Sequence, residues 1–212
     1  MSTHRDDIWL VSDLHLGHRK VSELRGFDET AEHDQVILDN LRAVPDGATL
    51  ICLGDISVRR DAEALDLLGG LKAEKDLRMV LLPGNHDRVH PMFGLESVME
   101  WTPAYRDVFD AVSLKLQIRV GRWLVLLTHI PAPDKVEDPY MTPALARWAA
   151  RGGTTTRGGF DCTVHGHTHS AVSVRPKNVN VSLEATDLKP VSSEQLEELV
   201  TRAVTCPTVC QG

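Results

Sequence analysis

Three short apolar runs in the first half of the chain each end abruptly at polar residues. The runs cover residues 8–11, 49–53 and 79–82, and Asp13, Gly54-Asp55 and Gly84-Asn85 follow them closely. Runs of this length between turn residues are typical of buried β-strands. Because helical patterns separate them, the alternation predicts an α/β fold with a mostly parallel sheet. In such a sheet ligands bind beyond the carboxyl ends of the strands, where these polar residues lie.

The remaining elements follow from hydrophobic periodicity and turn residues. The first two helices are predicted over 28–44 and from Asp61 to Leu68, the second ending at Gly69-Gly70. Alternating apolar residues predict a hairpin over 112–120 and 123–127. The later segments are a helix over 143–151, strands over 161–164, 171–174 and 179–183, and a last helix over 193–204 that opens on a capping box of Ser192 and Gln195.

Length and charge limit the classes of function. The 212 residues predict a single domain, 1–212, with flexible tails at 1–7 and 206–212. A net charge of -7 argues against bulk binding to long nucleic acid. No apolar run approaches the ~18 residues of a membrane helix, and the polar N-terminus does not resemble a signal peptide. Four scattered cysteines do not form a disulfide scaffold, so a cytoplasmic protein is expected.

The polar residues near the predicted strand ends form one chemical set. Carboxylate, imidazole and amide groups in this mixture suit divalent ions such as Mn, Fe and Zn. A single catalytic ion takes about three protein ligands, so the set is larger than one ion needs. Two ions that share a carboxylate are a standard device for displacement at phosphorus. The set comprises Asp13, His15, Asp55, Asn85, His86, His129, His167 and His169.

Residue spacing supports convergence within this set. Asp13 and His15 are two residues apart, as are His167 and His169, so each pair points to one side if its backbone is extended. Each motif alone has a plainer explanation, because Gly-Asp is a common turn and His-x-His could be half of a structural zinc site. Their joint occurrence after apolar strands favours the metal site.

The order of the motifs resembles the calcineurin-like metallophosphoesterase superfamily, in particular a small single-domain branch of it. The resemblance implies a four-layer α/β/β/α sandwich of two mixed sheets, with a dimetal site at the strand ends. The motifs are Asp13-Leu14-His15, Gly54-Asp55, Gly84-Asn85-His86-Asp87, Thr128-His129 and Gly166-His167-Thr168-His169.

The resemblance also implies the ligands of each ion. Mn²⁺ is the expected metal, with Fe, Zn and Ni as alternatives. Asp55 would bridge the two ions. By similarity, one ion is held by Asp13, His15 and His169, and the other by Asn85, His129 and His167.

The expected activity is hydrolysis of phosphodiester bonds in small substrates, for example 2′,3′-cyclic nucleotides. A metal-bridging hydroxide would attack phosphorus, and His86 would stabilise the transition state or protonate the leaving oxygen. Asp87 would orient the His86 ring. The alternatives are a phosphomonoesterase acting on nucleotides or proteins, a nuclease, and a noncatalytic scaffold.

Several other residues carry weaker signals. His18 and Arg19 follow the first motif and could contact the substrate. Arg157 lies in a Gly/Thr-rich segment that favours a surface loop over a phosphate clamp. No role is predicted for His33 or His90, and Cys206 and Cys210 are interpreted as incidental thiols.

Overall fold

A computed structural model describes residues 7–131, 142–150 and 159–206. In that part of the chain the strands are β1 (Ile8–Val11), β2 (Thr49–Cys52), β3 (Arg78–Leu81), β4 (Ala111–Val112), β5 (Lys115–Val120), β6 (Trp123–Thr128), β7 (Cys162–His165), β8 (Val174–Arg175), β9 (Asn178–Asn180) and β10 (Val191–Ser192). The α-helices are α1 (Arg19–Leu24), α2 (Thr30–Arg42), α3 (Asp61–Lys75), α4 (Leu95–Val108), α5 (Pro143–Ala150) and α6 (Ser193–Thr205), and two short 3₁₀ helices span Pro91–Phe93 and Leu183–Ala185.

The first sheet has the strand order β10-β1-β2-β3-β4 and is mixed. β1 to β4 are parallel neighbours, whereas β10 pairs with β1 in the antiparallel sense. Val11 is opposite Cys52, and Cys52 is opposite Leu81. Because this register aligns the three carboxyl ends, the polar residues that follow them meet at one edge.

The second sheet has the order β5-β6-β7-β9-β8 and is also mixed. Its centre is parallel: β6 pairs with β7, and β7 pairs with β9. Leu127 is opposite Val164, so the residues after β6 and β7 also emerge side by side. The predicted α/β class with two mixed sheets is confirmed.

Two hydrophobic clusters fill the interior, one on each face of the first sheet. Val11 and Cys52 point into a cluster with Ile37 of α2 and Leu68 of α3. Their neighbours along the strands point into a second cluster, with residues of the second sheet and of α6. This division follows from the period of two along a strand, which sends successive side chains to opposite faces.

The last helix contacts both sheets. Its buried residues Leu196 and Val200 belong to the cluster that also contains Leu10 of β1 and Val179 of β9. Among the described residues, α2, α3 and α4 provide the helices of the first cluster. The four-layer order, with a helical layer outside the second sheet, stays a prediction.

Several predicted boundaries are wrong; the strand predicted over 171–174, for example, is observed only at Val174–Arg175. Gly69-Gly70 does not end the second predicted helix, because α3 continues to Lys75 and stops where Asp76 adopts φ 50°. Leu68 and Leu71 are buried on either side of the glycines, so tertiary contacts outweigh their low helix propensity. The run 112–120 is likewise not one strand. Val112 is the last residue of β4 in the first sheet, and Lys115 begins β5 in the second.

Some elements were not predicted, and some predictions lie outside the described residues. The sequence patterns did not identify α1 and β10, which are short, or α4, which contains Pro103. The described part of the chain contains no helix long and apolar enough to span a membrane. Predictions for residues 1–6, for Arg157 and for 207–212, including Cys210, fall outside what the structure describes.

The capping box that starts α6 is confirmed. Ser192 Oγ accepts a hydrogen bond from the Gln195 amide, and the Gln195 side chain accepts one from the Ser192 amide. We expect Ser192→Ala to lower the free energy of unfolding by about 1 kcal/mol, because an amide at the helix start loses its partner. Urea denaturation measures this. Ser193→Ala, one residue further on, keeps the box and serves as the control. Equal losses in the two variants would contradict the prediction.

Candidate metal centre

Five of the seven candidate ligands follow the strands in left-handed backbone conformations. Asp13, His15, Asp55, His167 and His169 have φ of 61°, 50°, 54°, 70° and 46°. Non-glycine residues rarely adopt such angles, and clusters of them occur at functional sites. The expected extended geometry of these motifs is therefore wrong. The side chains converge because tight turns redirect them.

Two motif glycines allow these turns to approach closely. A Cβ atom at Gly84 would clash with the Asp55 carboxylate and lie 2.7 Å from His129 Nε2. A Cβ atom at Gly166 would clash with the side chains of Ser12 and Asp13. Glycine is required at both positions by the space that the candidate ligands occupy.

One group of donor atoms comprises Asp13, His15 and His169, with the atoms within 4.8 Å of one another. The Nε2 atoms of His15 and His169 face each other at 3.0 Å. Asp13 Oδ1 lies 3.8 Å from the first and 3.6 Å from the second. The His167 amide donates to both oxygens of Asp13, at 3.2 and 3.0 Å, which fixes the carboxylate.

A second group comprises Asp55, His129 and His167, again within 4.8 Å and buried throughout. His129 Nε2 lies 3.3 Å from Asp55 Oδ2 and 3.3 Å from Asn85 Oδ1. Its other nitrogen, Nδ1, donates to the Leu53 carbonyl at 2.5 Å. Such a bond turns Nε2 into the site, as in metal-binding histidines.

The Asp55 carboxylate connects the two groups. Its Oδ2 is 3.3 Å from His129 Nε2 and 3.9 Å from His15 Nε2, whereas Oδ1 accepts the His86 amide at 2.9 Å. Burial by itself would raise the pKa of Asp55, but the adjacent His129 holds it well below its usual range. A negative charge is therefore maintained between the groups.

His15 of the first group and His129 of the second respond oppositely to their surroundings. Burial lowers the pKa of His15 to about 3, so its imidazole is neutral at pH 7. Burial also disfavours charge on His129, but the Asp55 carboxylate outweighs it and raises the pKa of His129 to about 10. The Asp55 carboxylate thus favours a positive charge on the His129 imidazole.

Sequence analysis missed the residues that fix His169. Its Nδ1 donates to Glu184 Oε1 at 2.8 Å, and Arg25 donates to the same oxygen from Nε and Nη2, at 2.9 and 2.8 Å. Burial opposes ionisation of Glu184, yet the bond from His169 and the charge of Arg25 lower its pKa to about 2. Arg25 and Glu184 are 159 residues apart, and no local motif indicated either.

Arg25 also fixes the backbone of the first motif. It donates to the carbonyls of Asp13 and Leu14, at 2.7 and 3.1 Å, and lies 3.0 Å from His33 Nε2. His33 Nδ1 in turn donates to Asp34 at 2.8 Å. His33, for which the sequence analysis predicts no role, is buried and supports this network.

Asp87 lies in a different position from the one expected. Its carboxylate accepts the amides of Asp55, Ile56 and Gly84 at 2.8, 3.0 and 2.7 Å, and it does not orient the His86 ring. Burial and the charge of Asp55 raise the pKa of Asp87 to about 7. Because it accepts amides from both segments, Asp87 connects the turn after β2 to the turn after β3.

The structure brings His86 to the site but not Arg19. The half-buried His86 ring lies 5.7 Å from that of His15. His18 caps α1, with its ring 5.8 Å from that of His15, and burial together with His86 lowers its pKa. Arg19 is exposed on α1 and pairs with Glu23 at 2.8 Å.

His90, for which no role is predicted, caps a 3₁₀ helix and contacts Trp148.

The model of the calcineurin-like phosphoesterase family matches residues 7–171, a span that contains both groups of donors. The chain belongs to this family. The superfamily resemblance of the motifs is therefore confirmed. The calcineurin-like phosphoesterases use divalent metals, and the two groups of donors described above could bind them.

Two relatives and one solved structure match this chain over most of its length. It is 31% identical to the Gene 66 protein of Mycobacterium phage D29, over 92% of this chain and 96% of the relative. Identity to the Gene 66 protein of Mycobacterium phage L5 is 30%, over 91% and 93%. A protein of unknown function from Aquifex aeolicus shares the fold, with a TM-score of 0.66, 24% identity, and coverage of 91% and 98%.

Removing the Arg25 charge should destabilise the fold strongly. The Arg25 side chain is 3% exposed, and Arg25→Met would leave Glu184 and two carbonyls without their buried partner. We expect a loss of about 3–5 kcal/mol in the free energy of unfolding, measured by urea denaturation. Arg42→Met is the control, because Arg42 pairs with Asp39 and Glu74 at the surface, where ion pairs contribute little to stability. Similar losses in both variants would refute a buried role for Arg25.

Proposed function

We propose that this protein binds two divalent ions and hydrolyses phosphodiester bonds in small substrates. The observation that carries the proposal is the meeting of two separate donor groups at the buried Asp55 carboxylate. The donors fit divalent ions chemically, because carboxylate, imidazole and amide groups together suit Mn, Fe and Zn. The neutral His15 imidazole and the fixed rings of His129 and His169 agree with this interpretation.

The assignment of ligands follows the two groups. Asp13, His15 and His169 would hold one ion, and His129, His167 and Asn85 the other. Asp55 would be shared, since its Oδ2 faces an imidazole of each group. When bound, two such ions supply a nucleophilic water near neutral pH and offset the negative charge of the phosphoryl oxygens. Mn²⁺ is the proposed metal.

His86 is the proposed catalytic side chain. Its backbone amide is fixed on Asp55, while its half-buried ring lies beside that of His15. From there an imidazole can donate a proton to a leaving oxygen or a hydrogen bond to a phosphoryl oxygen. Asp87 is proposed as a positioning residue, because it holds the turns that carry His86 and Asp55.

A matched pair of substrates tests the function. The metal-loaded protein should hydrolyse bis(p-nitrophenyl) phosphate and a 2′,3′-cyclic nucleotide faster than p-nitrophenyl phosphate, and EDTA should abolish the activity. Preference for the monoester would favour a phosphatase instead. Failure of metal-loaded protein to hydrolyse any ester would support a noncatalytic role.

His86→Gln should separate chemistry from metal binding. We expect the variant to retain two ions while its rate falls by about 100- to 10,000-fold, the range for a lost proton donor or transition-state contact. Elemental analysis of desalted protein and diester kinetics provide the two measurements. Full activity in this variant would exclude the role given to His86.

Asp55→Asn is the companion variant, in which the shared carboxylate is replaced by an amide of the same size. Its metal content should fall together with its rate, because both ions lose a charged ligand. Two retained ions per chain would be incompatible with a bridging Asp55.

A further inference from the structure

A cleft extends from the candidate metal centre along the side occupied by His86. Its volume is about 810 Å³, within the range of sites that bind small molecules. Asn85 and His86 lie at one part of it, so whatever enters the cleft meets the proposed reaction centre. Its described lining comprises Val58, Arg59, Asn85, His86, Arg88, Phe93 and Thr142.

Arg59 brings a positive charge to the cleft. Its side chain is exposed, and within the described ranges it forms no ion pair, whereas the next residue, Arg60, pairs with Glu63. The backbone of Arg59 has φ 60°, a left-handed conformation that non-glycine residues rarely adopt and that is frequent at ligand sites. Arg88, also in the lining, is already engaged by Ser97 and the Trp101 ring. Arg59 is therefore the cation best able to meet a phosphate oxygen.

Phe93 brings an aromatic surface to the same cleft. Phe93 is the last residue of the short 3₁₀ helix Pro91–Phe93, and it is 43% exposed. Leu95 and Met99 are more exposed, at 73% and 67%, but they do not line the cleft. An exposed ring beside a cation and a phosphoester centre matches a ligand that combines negative charge with a planar ring.

We propose that this cleft is a subsite for a nucleotide, with the base stacked on Phe93 and the phosphate facing Arg59. The assignment rests on the proposed function, because it places the phosphate near Asn85 and His86. It narrows the substrate class from small phosphodiesters to those that carry a nucleobase or a similar planar aromatic group.

Binding can test the subsite without turnover. AMP and ribose 5-phosphate share the phosphate and the sugar and differ in the base. Titration calorimetry on the full chain with Mn²⁺ should show AMP binding roughly 5- to 150-fold more tightly, the range expected for one stacked base. If either ligand is hydrolysed, the ratio of kcat/KM values replaces the ratio of dissociation constants.

Two variants with adjacent controls assign the contacts. Phe93→Leu should remove most of the preference for AMP and leave ribose 5-phosphate binding unchanged, whereas Leu95→Ala should change neither. Arg59→Gln should weaken both ligands by about tenfold and keep the preference, since it removes a charge-assisted contact that both phosphates share. Arg60→Gln should bind like the wild type.

The results separate the subsite from the proposed function. Equal affinities for the two ligands in the wild type, no measurable binding of AMP, or an unchanged preference in Phe93→Leu would overturn the subsite. Hydrolysis of the diester by the same preparation tests the function independently. A preference for AMP without diester hydrolysis would support the subsite and reject the proposed activity. Diester hydrolysis without a preference for AMP would support the activity and reject the subsite.

Discussion

Burial of the Asp55 carboxylate is the constraint on which the site depends. A charge taken out of water is costly unless hydrogen bonds and opposite charges compensate it. The His86 amide and the His129 imidazole supply that compensation in the described structure. Asp87 then fixes the backbone of Asp55 itself. The turns after β2, β3 and β6 are therefore held together by one carboxylate and its partners, and an ion at this place would find its ligands already arranged.

The two sheets provide the rigidity that this arrangement needs. Donors placed just beyond stiff parallel strands move less than donors on long loops, so distances between them can be kept within narrow limits. The cost appears as left-handed backbone at Asp13, His15 and three further candidate ligands. Strain of this kind persists only where surrounding contacts over-determine the conformation. The hydrogen bonds from Arg25 to the carbonyls of Asp13 and Leu14 are contacts of that type.

The two donor groups orient their imidazoles by different means. His129 is fixed by a main-chain carbonyl, that of Leu53, which any sequence would provide once the fold forms. His169 is instead fixed by Glu184, and Glu184 by Arg25 of the segment just after α1. Substitutions far from the sheet edge can therefore disturb the group that contains His169. The group that contains His129 depends mainly on the sheets. If each group holds an ion as proposed, this asymmetry would allow the affinity for one ion to be altered without changing a ligand.

The sequence alone determined the α/β class, the family, and the chemical types gathered at the strand ends, because strand periodicity and short polar motifs are local properties. It could not determine that α3 continues through Gly69-Gly70, since burial of the flanking leucines decides that. It also could not reveal the partners of Asp87 or the support of His169 by Glu184. Only the tertiary structure decided these, because hydrogen bonds between residues far apart in the chain leave no periodic pattern in the sequence.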